Sequence, residues 1–180
     1  MPPRLSTVVS KLYRPPANGE PRQVFALSRS DAERVPRLPS IAVISITAPD
    51  RPPAELDGFD YLLRLSFADA DFLNPARARR AKAKQASFTT EHAELLCTFI
   101  DGLPVGVKSI VVHCEGGYSR SCAIARGLHE FYGYAVDMRH LENANPSVMH
   151  MFVRTAKTRL AGQTTARGIR PRRGKSATEP

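Results

Sequence analysis

The chain has 180 residues, 42% of them hydrophobic, which suits one globular domain with a core of its own. No apolar run approaches the roughly 20 residues that cross a bilayer, and the opening MPPRLSTVVSKLYRPP lacks the apolar stretch of a secretory signal. The formal net charge is +9, and two basic segments account for all of it: residues 75–84, PARARRAKAK, and residues 161–180. Such segments are either solvated faces and tails or attractors of an acidic partner, such as a phosphorylated peptide, nucleic acid or an anionic membrane. Cys97, Cys114 and Cys122 form an odd set without framework spacing. They read as free thiols in a reducing compartment, the cytoplasm.

In chain order, residues 1–20 give no clear element. QVFALS, 23–28, reads as a short strand and SDAERV after it as a helical turn. IAVISIT, 41–47, is dense in β-branched residues and predicts a buried strand. APDRPP is a loop broken by prolines. YLLRLSF, 61–67, is another strand, and ADADFLNP an exposed loop. The Ala, Arg and Lys of 76–84 favour a helix. From Thr90 the pattern is helical, with an apolar stripe of His92, Leu96, Phe99 and Leu103 widened by Leu95 and Ile100. SIVVHC, 109–114, predicts a third buried strand, and 121–132 a helix that Gly133 ends. Asn145 and Pro146 read as the N-cap and first residue of a helix to about Leu160. Residues 161–180 lack periodicity and read as a disordered tail.

Strands alternate with helices, which predicts an α/β domain with a central, mostly parallel sheet flanked by helices. Ligands of such sheets bind beyond the carboxyl ends of the strands, where Cys114 stands. A strand-loop-helix turn gathers backbone N–H groups into one concavity, and the helix N-terminus adds partial positive charge. That cradle suits a phosphate, and its field favours a thiolate at Cys114. Gly116 and Gly117 permit the tight path. Arg120, six positions on, can hold two phosphate oxygens at once. These are the groups needed to attack a phosphate ester.

His113-Cys114, five residues and then Arg120-Ser121 resemble the H-C-x5-R-[S/T] phosphate loop of the cysteine-dependent protein tyrosine phosphatases. The wider HCEGGYSRS is similar to loops of dual-specificity phosphatases and of small bacterial tyrosine phosphatases. The close likeness covers about 113–133 and the order of elements roughly 20–160, which implies a catalytic domain over 21–160. The resemblance implies a protein tyrosine or dual-specificity phosphatase acting on phosphorylated protein or peptide without metal or cofactor. Cys114 is then the nucleophile, and Arg120 clamps the phosphate with backbone N–H groups of Glu115, Gly116, Gly117, Tyr118, Ser119 and Arg120. His113 bonds within the loop and helps hold the thiolate, Ser121 donates to the sulfur, and Tyr118 forms a cleft wall. A general acid follows a strand a few tens of residues before the cysteine in that family. Asp69 fits best, with Asp71 the alternative and Asp50 the outsider.

The remaining histidines, His92, His129, His140 and His150, lack zinc spacing. Cys97 and Cys122 read as core residues, either one able to pair with an oxidised Cys114. Two other readings stay open: a phosphatase of a phosphoinositide, nucleotide or RNA 5′ end, and a non-catalytic phosphate-binding module. The loop lacks the lysines that lipid phosphatases of this superfamily often carry there.

Overall fold

The computed structural model describes residues 3–73 and 87–168, with side chains to Gln163. The basic segment 75–84, its expected helix, and the chain beyond Gly168 lie outside the described residues. Four strands form one parallel sheet in the order β1-β4-β2-β3, with β1 Gln23–Ser28, β2 Ile41–Thr47, β3 Tyr61–Ser66 and β4 Ser109–Cys114. The two most apolar runs take the centre. Every residue of β2 and β4 is buried, as a strand covered on both faces requires.

Alternation along each strand divides the core. Val24 and Ala26 of β1, with Ile44, Ile46, Ile110 and Val112, face helices α3 (Thr90–Asp101), α4 (Arg120–Tyr132) and α5 (Pro146–Gly168). Phe25 and Leu27, with Ile41, Val43 and Val111, face α1 (Leu5–Leu12), α2 (Arg29–Ala32) and the loop carrying Ala54 and Leu56. The α/β architecture with a parallel sheet is therefore as expected. Among the described residues, no helix is long and apolar enough to cross a membrane.

Three local readings need correction. Helix α1 was unassigned, yet Val8 and Leu12 are 1% and 0% exposed on the sheet. Leu5, Val8 and Leu12 do stand at helical spacing, but eight residues are too few to be recognised without their packing partner. The stripe of α3 is rotated from the expected one: Ala93, Leu96, Cys97 and Ile100 are buried, and Leu95 is 55% exposed. His92 belongs to the capping box, its Nδ1 accepting from Thr89 N–H while Thr89 Oγ1 accepts from His92 N–H. Lastly, α5 runs to Gly168, so the first residues of the expected disordered tail are helical. Gly133 ends α4 as expected, in the left-handed region at φ 72°.

Candidate active site

The loop Glu115–Ser119 joins the end of central strand β4 to the start of α4, where strand carboxyl ends and a helix N-terminus meet. Cys114 closes β4, 3% exposed, with its Sγ 3.2 Å from Ser121 Oγ in the first turn of α4. No backbone N–H from Glu115 to Arg120 donates a hydrogen bond to a described residue. Ser119 occupies the N-cap position but makes no capping bond with its side chain. Its hydroxyl donates to Asp69 Oδ1 instead, at 2.8 Å. The N-terminus of a buried helix is thus left with its donors open, an arrangement that suits an anion.

Gly117 sets the loop's path. Its φ is +80°, and a Cβ there would lie 2.6 Å from Ser28 N and 2.7 Å from the Leu27 carbonyl carbon. The loop therefore lies directly against the end of β1. Tyr118 is 52% exposed, with its ring over Gly116.

Arg120 is 6% exposed and donates through Nη1 to the Phe67 carbonyl, 2.9 Å away, just past β3. Its buried Nε has no partner among the described residues. The guanidinium is held in place from one side and keeps donor capacity for an oxyanion.

His113 is 1% exposed. Its expected bond lies within the loop, whereas its Nε2 pairs with Ser45 Oγ of β2 at 2.8 Å, and Nδ1 has no partner among the described residues. Burial, with the nearby Arg29 charge adding to it, lowers its pKa from 6.5 to about 4. The ring is therefore neutral at pH 7. The unfolded chain binds a proton here near pH 6.5 and the folded chain does not until about 4, so the unfolded state holds more protons between those values. Stability then falls as pH drops through that window, by up to about 3 kcal/mol. Urea melts at pH 7 and pH 4.5 should show the loss, and His113→Asn should remove this part of the slope. An unchanged slope in the variant would assign the acid sensitivity to other groups.

Arg29, which sequence reasoning missed, ties the loop after β4 to its surroundings. It bonds Glu33 Oε1 at 3.1 Å, Glu115 Oε1 at 3.3 Å and the carbonyls of Pro52 and Pro53 at 2.8 and 2.7 Å. Its backbone N–H also donates to the Glu115 carbonyl. The acidic Glu115 is thus paired with a cation. No local pattern announces this, because the partners lie on three separate segments.

The two acid candidates part company. Asp71 is 6% exposed, and its Oδ1 accepts from Leu73 N–H and Ser147 Oγ, which anchors the loop to the start of α5. Asp69 is exposed and beside the loop after β4, its Oδ1 accepting from Ser119 Oγ and from Asn145 Nδ2, each at 2.8 Å. Asp50 is exposed and makes no hydrogen bond or ion pair to a described residue. Asn145, expected only as a cap, does cap α5 through Oδ1, which accepts from Ser147 and Val148 N–H.

Cys122 is fully buried, its Sγ donating to the carbonyls of Gly117 and His140 at 3.3 Å. Burial, and then the neighbouring Cys114, push its thiol up to about 12, so it stays protonated at neutral pH. Cys97 is likewise buried and its thiol raised by burial. Among the described residues, no group of three or more His, Cys, Asp or Glu is placed to hold a metal ion.

No protein-family model matches the chain, and no curated protein matches it. Solved structures do. A structure of human DUSP28 is 17% identical and matches over 79% of this chain and 97% of its own, with a TM-score of 0.50. The human tyrosine phosphatase-like serine/threonine/tyrosine-interacting protein is 22% identical, over 78% of this chain and 93% of its own, at a TM-score of 0.47. A structure of PTPMT1 is 16% identical, over 79% and 95%, at 0.48. With its parallel four-stranded sheet and loop-helix turn after β4, the chain shares the fold of the human DUSP28 structure.

Proposed function

We propose that the protein hydrolyses phosphate monoesters through a cysteinyl-phosphate intermediate, with phosphotyrosine or dual-specificity phosphopeptides as its substrates. One observation carries the reading: Cys114 Sγ lies at the foot of a helix whose loop holds a run of backbone N–H groups with no partner among the described residues, and a buried nitrogen of Arg120 likewise has none there. The thiolate of Cys114 attacks phosphorus while the bond from phosphorus to the ester oxygen breaks, and Asp69 gives that oxygen a proton. The loop N–H groups and Arg120 hold the equatorial oxygens. In the second step Asp69 takes a proton from water, the water oxygen attacks phosphorus, and the bond to sulfur breaks. The Ser121 hydroxyl, 3.2 Å from Sγ, stabilises the departing thiolate. Phosphate leaves and the thiolate is restored.

The two loops that supply Cys114 and Asp69 also carry Tyr118, Phe72 and Leu73, all large, apolar and exposed. Taken as the rim of the proposed cleft, these side chains suit an aromatic phosphoester in a peptide better than a highly charged inositol phosphate or nucleotide. Three free thiols fit a reducing compartment, and the reading extends to the cytoplasm.

The test is hydrolysis of p-nitrophenyl phosphate and of phosphopeptides between pH 5 and 8, with inositol phosphates and nucleotides compared at equal concentration. Faster turnover of the non-peptide esters would reassign the substrate class. Replacing the acid separates the two aspartates. Asp69→Asn should lower kcat on phosphotyrosine peptide about 100-fold or more, the usual worth of a positioned general acid. Asp71→Ala should act mainly on stability, through the lost anchor to Ser147, by about 1 kcal/mol. Equal losses of kcat in the two variants would contradict this assignment.

A further inference from the structure

We infer that Asn145 is a positioning residue that fixes which oxygen of Asp69 carries the transferred proton. This rests on the proposed hydrolysis, and it concerns a side chain whose hydrogen bonds go to Asp69, Ala70, Ser147 and Val148 and not to Cys114. Asn145 is 4% exposed and all of its polar atoms are used. Oδ1 accepts from Ser147 and Val148 N–H at 3.1 and 3.2 Å. Nδ2 donates to Asp69 Oδ1 at 2.8 Å and to the Ala70 carbonyl at 3.0 Å. Its backbone N–H donates to the Ser119 carbonyl at 3.2 Å. One residue thereby joins the start of α5, the acid loop and the phosphate loop.

The amide cannot flip without loss. Reversing it would set its NH2 against the two helix N–H donors and its oxygen against the Asp69 carboxylate and the Ala70 carbonyl, so its orientation is imposed. With Ser119 Oγ also donating at 2.8 Å, Asp69 Oδ1 receives two hydrogen bonds from donors, while Oδ2 has no partner among the described residues. A proton on Oδ1 would face two donors; a proton on Oδ2 faces none. The acid form therefore carries its proton on Oδ2, the oxygen left free for the ester, and the carboxylate returns the same face to water in the second step.

A readout is needed that a helix cap alone would not move. General acid assistance matters for a leaving group of high basicity and little for one that leaves readily as an anion. Asn145→Ser keeps a good N-cap residue but loses both donations to the acid loop. It should lower kcat/KM, which reports only the steps up to phosphoryl transfer to Cys114, roughly 10- to 100-fold on phenyl phosphate and less than about threefold on 2,4-dinitrophenyl phosphate. Asn145→Asp is the second variant: it also caps well, lacks the amide donor, and should show the same selective loss at neutral pH. Adding Asn145→Ser to Asp69→Asn should then cost little more than Asp69→Asn alone. Wild-type turnover of both esters bears on the proposed hydrolysis itself. A loss of kcat/KM in the Asn145 variants that is equal on both esters, or additive with Asp69→Asn, overturns the positioning role and leaves that hydrolysis standing.

Discussion

Cys114→Ser should lower phosphomonoester hydrolysis by about a thousandfold or more, with the fold intact. The two side chains have the same shape, so the end of β4, where residue 114 is 3% exposed, need not move. What changes is the nucleophile. A serine hydroxyl keeps its proton at neutral pH, and neither candidate base serves to remove it: His113 points to Ser45, and Asp69 is the proposed acid of this step. Losing an activated nucleophile removes the covalent route altogether, an effect far larger than the loss of a single hydrogen bond. Binding should survive, since the loop N–H groups and Arg120 remain. The variant should therefore retain substrate with little change in affinity, measured by calorimetry, while its kcat falls to background. A variant that kept more than a tenth of wild-type kcat would place the chemistry elsewhere.

Gly117→Ala should come next in size, and for a backbone reason. The residue has φ +80°, where an L side chain costs roughly 1–2 kcal/mol. Its Cβ would also lie 2.6 Å from Ser28 N and 2.7 Å from the Leu27 carbonyl carbon, main-chain atoms that have no rotamer to escape into. The loop must lift off β1, and the N–H groups proposed to hold the phosphate lose their common centre. A loss of kcat/KM of about 100-fold follows from misplacing such donors, together with a lowered Tm. Gly116→Ala is the control. The nearest atoms to its Cβ would all belong to the Tyr118 side chain, which is exposed and can swing away, so kcat/KM should change by no more than about threefold. Equal damage in the two variants would mean that contact with β1 does not shape the loop.

The parts of this molecule that could be read in advance are those whose signal is local. The β-branched runs of β2 and β4 declare buried parallel strands on their own, because every residue in them is covered. Gly133 ends its helix by the same kind of single-residue logic. Cys114, Arg120 and Ser121 lie within eight residues, and the turn between strand and helix brings them together with no help from the rest of the chain. What escaped depends on distant partners. Arg29 reaches Pro52, Pro53 and Glu115, and Asn145 meets Asp69 across 76 residues. Asn145 was visible as a cap because capping is local, while its second bond requires knowing that α5 starts beside the acid loop. The stripe of α3 was misplaced because Leu95 outranks Ala93 and Cys97 in hydrophobicity, yet small residues are what allow a helix to sit close to its neighbours.

The most direct measurement is an acid quench of Asp69→Asn during turnover of p-nitrophenyl phosphate, followed by peptide mapping. This leaving group departs with little help from an acid, whereas attack of water on the intermediate still lacks its base, so the intermediate should build up. The expected result is a phosphoryl group on the Cys114 peptide, approaching one per chain, with a matching burst of p-nitrophenol. Release of p-nitrophenol with no phosphoryl group on Cys114, or with it on another residue, would contradict the account.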